Sequence, residues 1–180
     1  LALAEKGIQV YGYDTFEPLI WFWRALLGNP EALANEADLL RKYKDYYYGY
    51  RGLPKDDFNL IKEELRNEEK YSLQNAAKFY ALNRSSFSGA TLSGGWSKRA
   101  SYERFTDSSI TRVREFSQPK LYVAAQHFKH SIPAHPKTFL YLDPPYLLGR
   151  DRETLYGNAG NKHKGFDHAG LANILKERNN

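Results

Sequence analysis

The sequence predicts an α/β domain that is built around a parallel sheet and interrupted by a large, mainly helical insertion. Short apolar runs that fit strands occur near both ends of the chain, at 8–14, 120–128 and 138–145. Helical patterns alternate with these runs, and a block of helices lies between them. This alternation is typical of parallel sheets, because parallel neighbours need a helical crossover.

The elements in the first half of the chain follow from periodicity and terminators. The segment LALAEKG is typical of the end of a helix, with Gly7 as its stop. The next segment, 8–14 (IQVYGYD), predicts a strand that ends on an acid. Apolar periodicity, Pro30 at a first turn and the stop at Gly28 then predict helices. These helices are expected at 16–27, 30–50, 56–67 and 72–83.

The pattern changes after Arg84. Residues 85–105 are rich in Gly and Ser and lack a helical period, which predicts a loop or an irregular hairpin. A helix capped by Asp107 or Ser108 is expected at 107–117, and Asp167 is expected to cap a last helix. The strands at 120–128 and 138–145 lie between these helices, and 156–166 is predicted to be a loop.

Composition limits the class of protein. The chain has 180 residues, of which 42% are hydrophobic and 26% are charged, as is usual for one globular domain. A net charge of +5 is compatible with an anionic partner. There is no cysteine and no apolar run of about 18 residues, so we expect neither a metal site nor a membrane span. Because there is no Met, we expect a fragment of a longer protein.

The segment TFLYLDPPYLLGRD (138–151) carries the clearest chemical pattern. Its apolar run 139–142 predicts a buried strand, and Asp143-Pro144-Pro145-Tyr146 follows directly. Ligands bind beyond the carboxyl ends of parallel strands. Proline has no N–H and holds the preceding residue extended, so this turn is stiff and presents two acceptors, the Asp143 carboxylate and the Pro144 carbonyl. Two acceptors beside the Tyr146 ring suit a planar heterocycle with an exocyclic NH₂ group.

The same two acceptors indicate a reaction. An aromatic amine is a poor nucleophile because its lone pair is delocalised into the ring. Acceptors for both of its hydrogens favour a more tetrahedral nitrogen, whose lone pair is free to attack, while a tyrosine ring stacks on the base. Catalysis then depends on orientation and placed dipoles. Asp-Pro-Pro-Tyr also occurs in plain turns, so the motif alone leaves a structural role open.

Together these segments resemble the Dam-like (D12 class, α group) adenine-N6 DNA methyltransferase family. FLYLDPPY resembles the family's catalytic motif IV, and AAKFYALNRSSFSG resembles the segment that opens its DNA-reading region. LALAEKGIQVYGYDTFEPLIWFWRAL is similar to the stretch after the family's glycine-rich cofactor loop. YGNAGNKHKGFDHAGLANIL resembles the loop and helix that follow motif IV.

The resemblance implies a Rossmann-like S-adenosylmethionine-dependent methyltransferase sheet with a mainly helical DNA-recognition insertion. It implies a catalytic set that grips and stacks on a flipped adenine, namely Asp143, Pro144, Pro145 and Tyr146. It implies a cofactor-binding set around the acid that holds the ribose hydroxyls, namely Asp14, Thr15, Phe16 and Asp143. Asp14 also fits a helix cap, and both roles can coexist.

Residues 84–104 supply the candidate DNA contacts. Basic groups hold phosphates, and small residues let the backbone approach a groove. Four basic residues against Glu103 give this segment a net charge of +3. Phe87 takes the position where family members carry an aromatic that fills the gap left by the flipped base, and a packed loop ring is the alternative. The predicted contacts are Arg84, Ser85, Phe87, Ser88, Lys98, Arg99 and Arg104.

The sequence departs from the family pattern in one respect. The Phe-x-Gly-x-Gly cofactor loop is expected upstream of Leu1, and the strands that complete the sheet are expected after Asn180. We divide the chain into a first core part at 1–45, a helical insertion with the target-recognition region at 46–117, and a catalytic core part at 118–180.

Three functions fit these observations. The first is a site-specific adenine-N6 DNA methyltransferase that uses S-adenosylmethionine and double-stranded DNA. The second is an inactive methyltransferase-fold module that binds DNA. The third is methylation of RNA or a protein amide, although those enzymes typically carry Asn at the first motif position and lack the LNRSSFSG block. For the first we expect a monomeric, cytoplasmic enzyme of a bacterium or phage, with a restriction endonuclease as a companion.

Overall fold

A computed structural model describes residues 1–43, 50–145 and 165–178 of the chain. Within these ranges the helices are α1 (Ala2–Glu5), α2 (Glu17–Gly28), α3 (Pro30–Leu39), α4 (Lys55–Arg66), α5 (Leu73–Ser85), α6 (Lys98–Glu103), α7 (Asp107–Arg114), α8 (Phe128–Ser131) and α9 (His168–Arg178). The strands are β1 (Val10–Asp14), β2 (Lys42–Tyr43), β3 (Arg51–Gly52) and β4 (Leu121–Ala125).

The parallel sheet consists of β1 and β4 in the described part of the chain. The two strands pair in register from Val10 opposite Leu121 to Asp14 opposite Ala125. A second, antiparallel pair joins β2 to β3. The helical block α2 to α7 lies between β1 and β4 along the chain. The predicted α/β class with a parallel sheet is therefore confirmed.

Local signals set the helix starts. The Asn29 side chain accepts a hydrogen bond from the Ala32 N–H (3.0 Å), directly before Pro30 opens α3. The Ser72 hydroxyl accepts one from the Asn75 N–H (3.0 Å) at the start of α5. These side chains satisfy backbone donors that have no partner inside the helix. The helices predicted at 16–27, 56–67 and 72–83 are confirmed to within two residues at each end.

The hydrophobic core lies in the helical block. It joins residues of α2, α3, α4, α5 and α7, and it includes side chains that are completely buried, such as Leu33, Phe58, Leu82 and Phe105. The sheet contributes less, because Tyr11 of β1 and Tyr122 of β4 are exposed on one face. The helical block is therefore the best-packed part of the described structure, and α2 packs against the sheet.

The long helix predicted at 30–50 is wrong in its length, since α3 ends at Leu39 and β2 begins at Lys42. The Arg51 guanidinium donates hydrogen bonds to the backbone carbonyls of Asp38 (3.1 Å) and Arg41 (3.3 Å). Arg51 thereby satisfies acceptors at the helix end that a further turn would otherwise use. Residues 44–49 of the predicted helix lie outside the described residues.

The cap predicted for α7 is also wrong, because the cap lies one residue before Asp107 and two before Ser108. Thr106, not Asp107 or Ser108, accepts a hydrogen bond from the Ser109 N–H (3.4 Å), and the Ser109 hydroxyl accepts one from the Thr106 N–H (3.0 Å). This reciprocal pair is a capping box. The Asp107 carboxylate instead accepts a hydrogen bond from the buried Arg41 (2.6 Å), which moves it away from the cap role.

The strand predicted at 138–145 is not formed. Phe139 is 87% exposed and Tyr141 is 85% exposed, so the run is not buried either. A parallel strand depends on hydrogen bonds to a neighbour and on cover from both faces. Among the described residues β1 and β4 pair only with each other, and no segment pairs with this run. An apolar run alone does not form a strand without such a neighbour.

Candidate functional site

The carboxyl ends of β1 and β4 form one edge of the sheet. Asp14 and Ala125, the last residues of the two strands, lie opposite each other. The Gln126 N–H donates a hydrogen bond to the Asp14 carbonyl (3.1 Å), which continues the pairing into the loop after β4. Ligands bind at this edge in open parallel sheets, so the structure brings the predicted cofactor acid to a suitable place.

The Asp14 carboxylate is exposed at this edge. One oxygen, Oδ1, accepts a hydrogen bond from the Phe16 N–H (2.8 Å), so the cap-like role at the start of α2 exists. The other oxygen makes no hydrogen bond to any residue in the described part of the chain. Thr15 is exposed, whereas the Phe16 ring packs edge-to-face on Phe79 of the core, 5.8 Å between ring centroids. A free carboxylate oxygen is a suitable acceptor for a ribose hydroxyl.

An aromatic cluster, which the sequence analysis did not single out, follows β4 at the same edge. Phe128 lies 4.3 Å from His127 and 5.2 Å from Phe166 between ring centroids. Lys129 forms an ion pair with Asp167 (2.8 Å), which ties the start of α9 to α8. The hydrogen bond from Lys129, together with one from the Gly170 N–H, lowers the pKa of Asp167 below its usual range. The start of α9 thus lies beside the end of β4, with Asp167 as its cap, as predicted.

The motif residues 143–145 lie at the surface of the described structure. Asp143 is exposed, and Pro144 and Pro145 are half-buried. The Asp143 carboxylate has no hydrogen-bond partner among the described residues. Arg178 of α9 donates hydrogen bonds to the carbonyls of Pro136 (3.1 Å) and Thr138, which fixes the chain a few residues before the motif. Tyr146 lies outside the described residues, as does most of the predicted loop 156–166.

Residues 86–97, here called the recognition loop, close on themselves like an irregular hairpin. The loop or hairpin predicted at 85–105 is therefore confirmed only in its first part, because α6 begins at Lys98, where the Ser97 hydroxyl accepts a hydrogen bond from the Ala100 N–H (3.2 Å). An antiparallel bridge joins Ser86 to Trp96, and the Phe87 N–H donates a hydrogen bond to the Gly95 carbonyl (2.9 Å). The Trp96 indole N–H donates to the Leu53 carbonyl (2.9 Å), which holds the loop base on the helical block. Ser88 (φ +51°) and Thr91 (φ +46°) have left-handed backbone conformations that cost energy for residues other than glycine.

The predicted DNA contacts fall into two groups. The first group is exposed, and it consists of Phe87, Ser88, Lys98 and Arg99. Phe87 is 72% exposed, so its ring does not pack inside the loop. Lys98 has no partner among the described residues, whereas Arg99 forms an exposed ion pair with Glu103 (2.8 Å). These side chains are available to a phosphate backbone or a base.

The second group serves the loop itself. The Arg84 guanidinium donates hydrogen bonds to the Arg104 carbonyl (2.9 and 3.1 Å), and Arg104 donates one to the Ser86 carbonyl (2.5 Å). Burial lowers the pKa of Arg84, but the guanidinium stays protonated at neutral pH. Ser85 is completely buried, and its hydroxyl has no partner among the described residues. Ser85 therefore cannot contact DNA in this conformation, and we remove it from the predicted set.

A cleft of about 660 Å³ lies between α2, β4 and the turn before α5, and it includes Ala125 at the carboxyl end of β4. Glu17, Arg24 and Tyr71 are among its lining residues, and none of the predicted site residues is. No group of three His, Asp or Glu side chains that could hold a metal ion occurs in the described ranges. The predicted site residues therefore lie on three segments, which are the strand-end edge, the exposed motif, and the recognition loop with the start of α6.

Comparison with known families decides the identity. The family model of the D12 class N6 adenine-specific DNA methyltransferases matches residues 1–180. The chain belongs to this family. Its function is therefore site-specific methylation of adenine N6 in DNA, and the predicted family is confirmed. No curated protein matches the chain. None of the described helices is long and apolar enough to cross a membrane.

Proposed function

We propose that this methyltransferase uses Asp143, Pro144, Pro145 and Tyr146 to bind an adenine that is flipped out of double-stranded DNA, with S-adenosylmethionine as methyl donor. The observation that carries the proposal is Asp-Pro-Pro-Tyr at 143–146 in a chain that matches the adenine-specific family along its whole length. The target base must leave the helix because its amino group is otherwise inside a base pair.

The chemistry of the motif supports this assignment. The exposed Asp143 carboxylate and the Pro144 carbonyl accept hydrogen bonds from the two amino hydrogens of the base. These contacts would draw the nitrogen lone pair out of the ring and leave it free to attack a methyl donor. As the N–C bond formed, the C–S bond of the donor would break, and the extra proton of the nitrogen would pass to the Asp143 carboxylate that already accepts its hydrogen bond. Pro145 stiffens the turn, since it restricts the residue before it. Tyr146 stacks on the base and fixes its plane.

The cofactor set fits the arrangement at the edge of the sheet. When bound, S-adenosylmethionine supplies an electrophilic methyl group on a positively charged sulfur. Asp14 has a carboxylate oxygen free for the ribose hydroxyls, and Thr15 is exposed beside it. Phe16 holds the segment on the core through Phe79. Asp143 completes the proposed cofactor set, and its carboxylate would attract the positive charge of the donor.

The recognition loop and the start of α6 are the proposed DNA contact. Lys98 and Arg99 bind phosphates, Ser88 lets the backbone approach, and Phe87 fills the space of the flipped base. Arg104 supports the loop through the Ser86 carbonyl, and Arg84 binds the carbonyl of Arg104. The Rossmann-like sheet, the division at about 45 and 117, a monomeric state and a companion restriction endonuclease also belong to the proposal.

Asp143→Ala tests the base-binding role. We expect methyl transfer from labelled S-adenosylmethionine to unmethylated duplex DNA to fall by at least about 100-fold, as when a group that stabilises the transition state is removed. Non-specific DNA affinity should stay within about 2-fold, because the substitution removes no cation. Asp56→Ala, an exposed aspartate of α4, is the control and should keep full activity. Normal activity of Asp143→Ala would reject the assignment.

A further inference from the structure

Two cations of α4 point into the recognition loop. The Lys62 ammonium donates a hydrogen bond to the Gly94 carbonyl (2.5 Å), and the Arg66 guanidinium donates one to the Leu92 carbonyl (3.0 Å). Lys62 and Arg66 lie one helical turn apart, so the two anchors come from one face of α4. Both accepting carbonyls lie in the part of the loop that returns from its tip.

The environment of Lys62 is that of an anchor. Lys62 is half-buried, and this burial, followed by the nearby Arg66 charge, lowers its pKa. A lysine that serves as a phosphate contact normally extends its ammonium into solvent. Lys62 instead directs it to a backbone carbonyl of the chain. Arg66 is shared between Leu92 and a carboxylate of α4, Glu63 (2.5 Å).

The segment that Lys62 and Arg66 anchor is tightly packed and contains unfavourable backbone conformations. The Gly94 backbone approaches Ala90 so closely that a Cβ on Gly94 would lie 2.8 Å from the Ala90 Cβ. Ser88 and Thr91 hold left-handed conformations, which persist only when the surroundings fix them. Gly95, next to the anchored Gly94, accepts the hydrogen bond from the Phe87 N–H. A rigid path therefore runs from α4 through Gly94 and Gly95 to Phe87.

We propose that Lys62 and Arg66 are positioning residues, which hold the recognition loop in the shape that presents Phe87 to DNA without contacting DNA themselves. The inference rests on the proposed role of this loop in DNA recognition. It assigns to α4 a part in methyl transfer through backbone anchoring. In this proposal Lys98 and Arg99 bind phosphate, whereas Lys62 and Arg66 hold the shape of the loop.

The test removes both donors and keeps the apolar side-chain stems, as Lys62→Met with Arg66→Leu in the full-length protein. Amide hydrogen exchange at 87–95 should become at least 10-fold faster, since the loop loses its anchors. The kcat for methyl transfer to unmethylated duplex DNA should fall about 10- to 100-fold with KM for DNA nearly unchanged. The slope of log affinity against log salt should not change, because no phosphate contact is lost.

Controls separate anchoring from general loss of structure. Lys55→Met removes an exposed cation from the first turn of the same helix, where Lys55 has no partner among the described residues, and should change none of the three readouts. Lys62→Arg keeps a donor and should restore slow exchange and activity to within about 2-fold. The single variant Lys62→Met gives the same comparison should the double variant not fold.

Two results would overturn the inference. A salt slope that falls by about 1.8 in the double variant would show that Lys62 and Arg66 contact two phosphates directly. Unchanged exchange at 87–95 would show that they do not anchor the loop. A parent protein that does not methylate adenine contradicts the proposed function instead, and the exchange measurement still decides whether α4 anchors the loop.

Discussion

Asp14 has two carboxylate oxygens with different surroundings. Oδ1 accepts the Phe16 N–H at 2.8 Å and so fixes the turn from β1 into α2, while the second oxygen has no partner among the described residues. Because Asp14 is the last residue of a parallel strand, its exposed carboxylate lies at the edge of the sheet where ligands bind. One residue can therefore stabilise the fold locally and hold a cofactor.

Asp14→Asn separates the two roles. The amide oxygen still accepts the Phe16 N–H, but the negative charge is lost. We expect about 10- to 100-fold weaker binding of S-adenosylmethionine in isothermal titration of the full-length protein, as hydrogen bonds to a charged acceptor are worth about 1.5–3 kcal/mol. The free energy of unfolding should stay within about 0.5 kcal/mol.

Two further variants serve as comparisons for Asp14→Asn. Asp14→Ala should weaken cofactor binding and also lower the free energy of unfolding by about 0.5–2 kcal/mol, because the cap-like contact is lost too. Glu17→Gln, an exposed carboxylate in the first turn of α2, should leave binding unchanged. Cofactor binding by Asp14→Asn at the affinity of the parent would remove Asp14 from the site.

The hydrogen-bond partners of Arg84 and Arg104 could not be predicted from the sequence. Their positions on either side of a segment rich in Gly and Ser fit phosphate contacts and structural contacts equally well. In the folded chain their guanidinia donate to the carbonyls of Arg104 and Ser86. A carbonyl and a phosphate oxygen are both acceptors for arginine, so only the three-dimensional path of the loop decides which one it binds.

At the scale of elements, the predicted parts are those whose signals are local. A polar cap, an apolar period and a terminator lie within one segment, which is why β1, α2, α5 and α9 could be found from the sequence alone. The strand expected at 138–145 depends on a partner elsewhere in the chain, and no local pattern reports that partner. The chemistry of the motif could be predicted because it depends on four adjacent residues. Lys62 and Arg66 could not be found in this way, because they bind a loop that is distant along the chain.

The start of α7 shows how tertiary contacts choose between adjacent caps. Thr106, Asp107 and Ser108 can all cap a helix. Arg41 is almost completely buried, and it binds Asp107 (2.6 Å) as well as Asp38 of α3 (2.8 Å). This ion pair directs Asp107 toward α3, and Thr106 is left to form the capping box with Ser109.

Thr106→Ala tests this choice. Loss of the cap should lower the free energy of unfolding by about 1 kcal/mol, because a backbone N–H at the helix start loses its acceptor. Ser108→Ala, at an exposed position that sequence reasoning offers as the cap, should change it by less than about 0.5 kcal/mol. Urea unfolding of both variants measures the difference, and equal effects would contradict the assignment of the cap.

At the scale of the whole molecule, packing and charge have different distributions. The core joins α2, α3, α4, α5 and α7, so the proposed boundary at about 45 separates segments whose side chains pack together. The exposed cations Lys98 and Arg99 lie just after the recognition loop, on α6, and the net charge of the chain is +5. The charges of Lys98 and Arg99 attract the DNA backbone whatever its base sequence. The helical core holds the recognition loop in place.

Lys98→Ala with Arg99→Ala tests where this field acts. If both side chains bind phosphate, the slope of log affinity against log salt should become shallower by about 1.8, and affinity should fall for every duplex sequence alike. The matched control is Lys6→Ala with Lys120→Ala, two exposed lysines that precede β1 and β4 and so lie at the opposite edge of the sheet from Asp14. The control changes the net charge equally, so a general effect of charge would lower both slopes alike. A slope equal to that of the parent would place Lys98 and Arg99 outside the interface, and the loop would then contact DNA through Phe87 and its backbone alone.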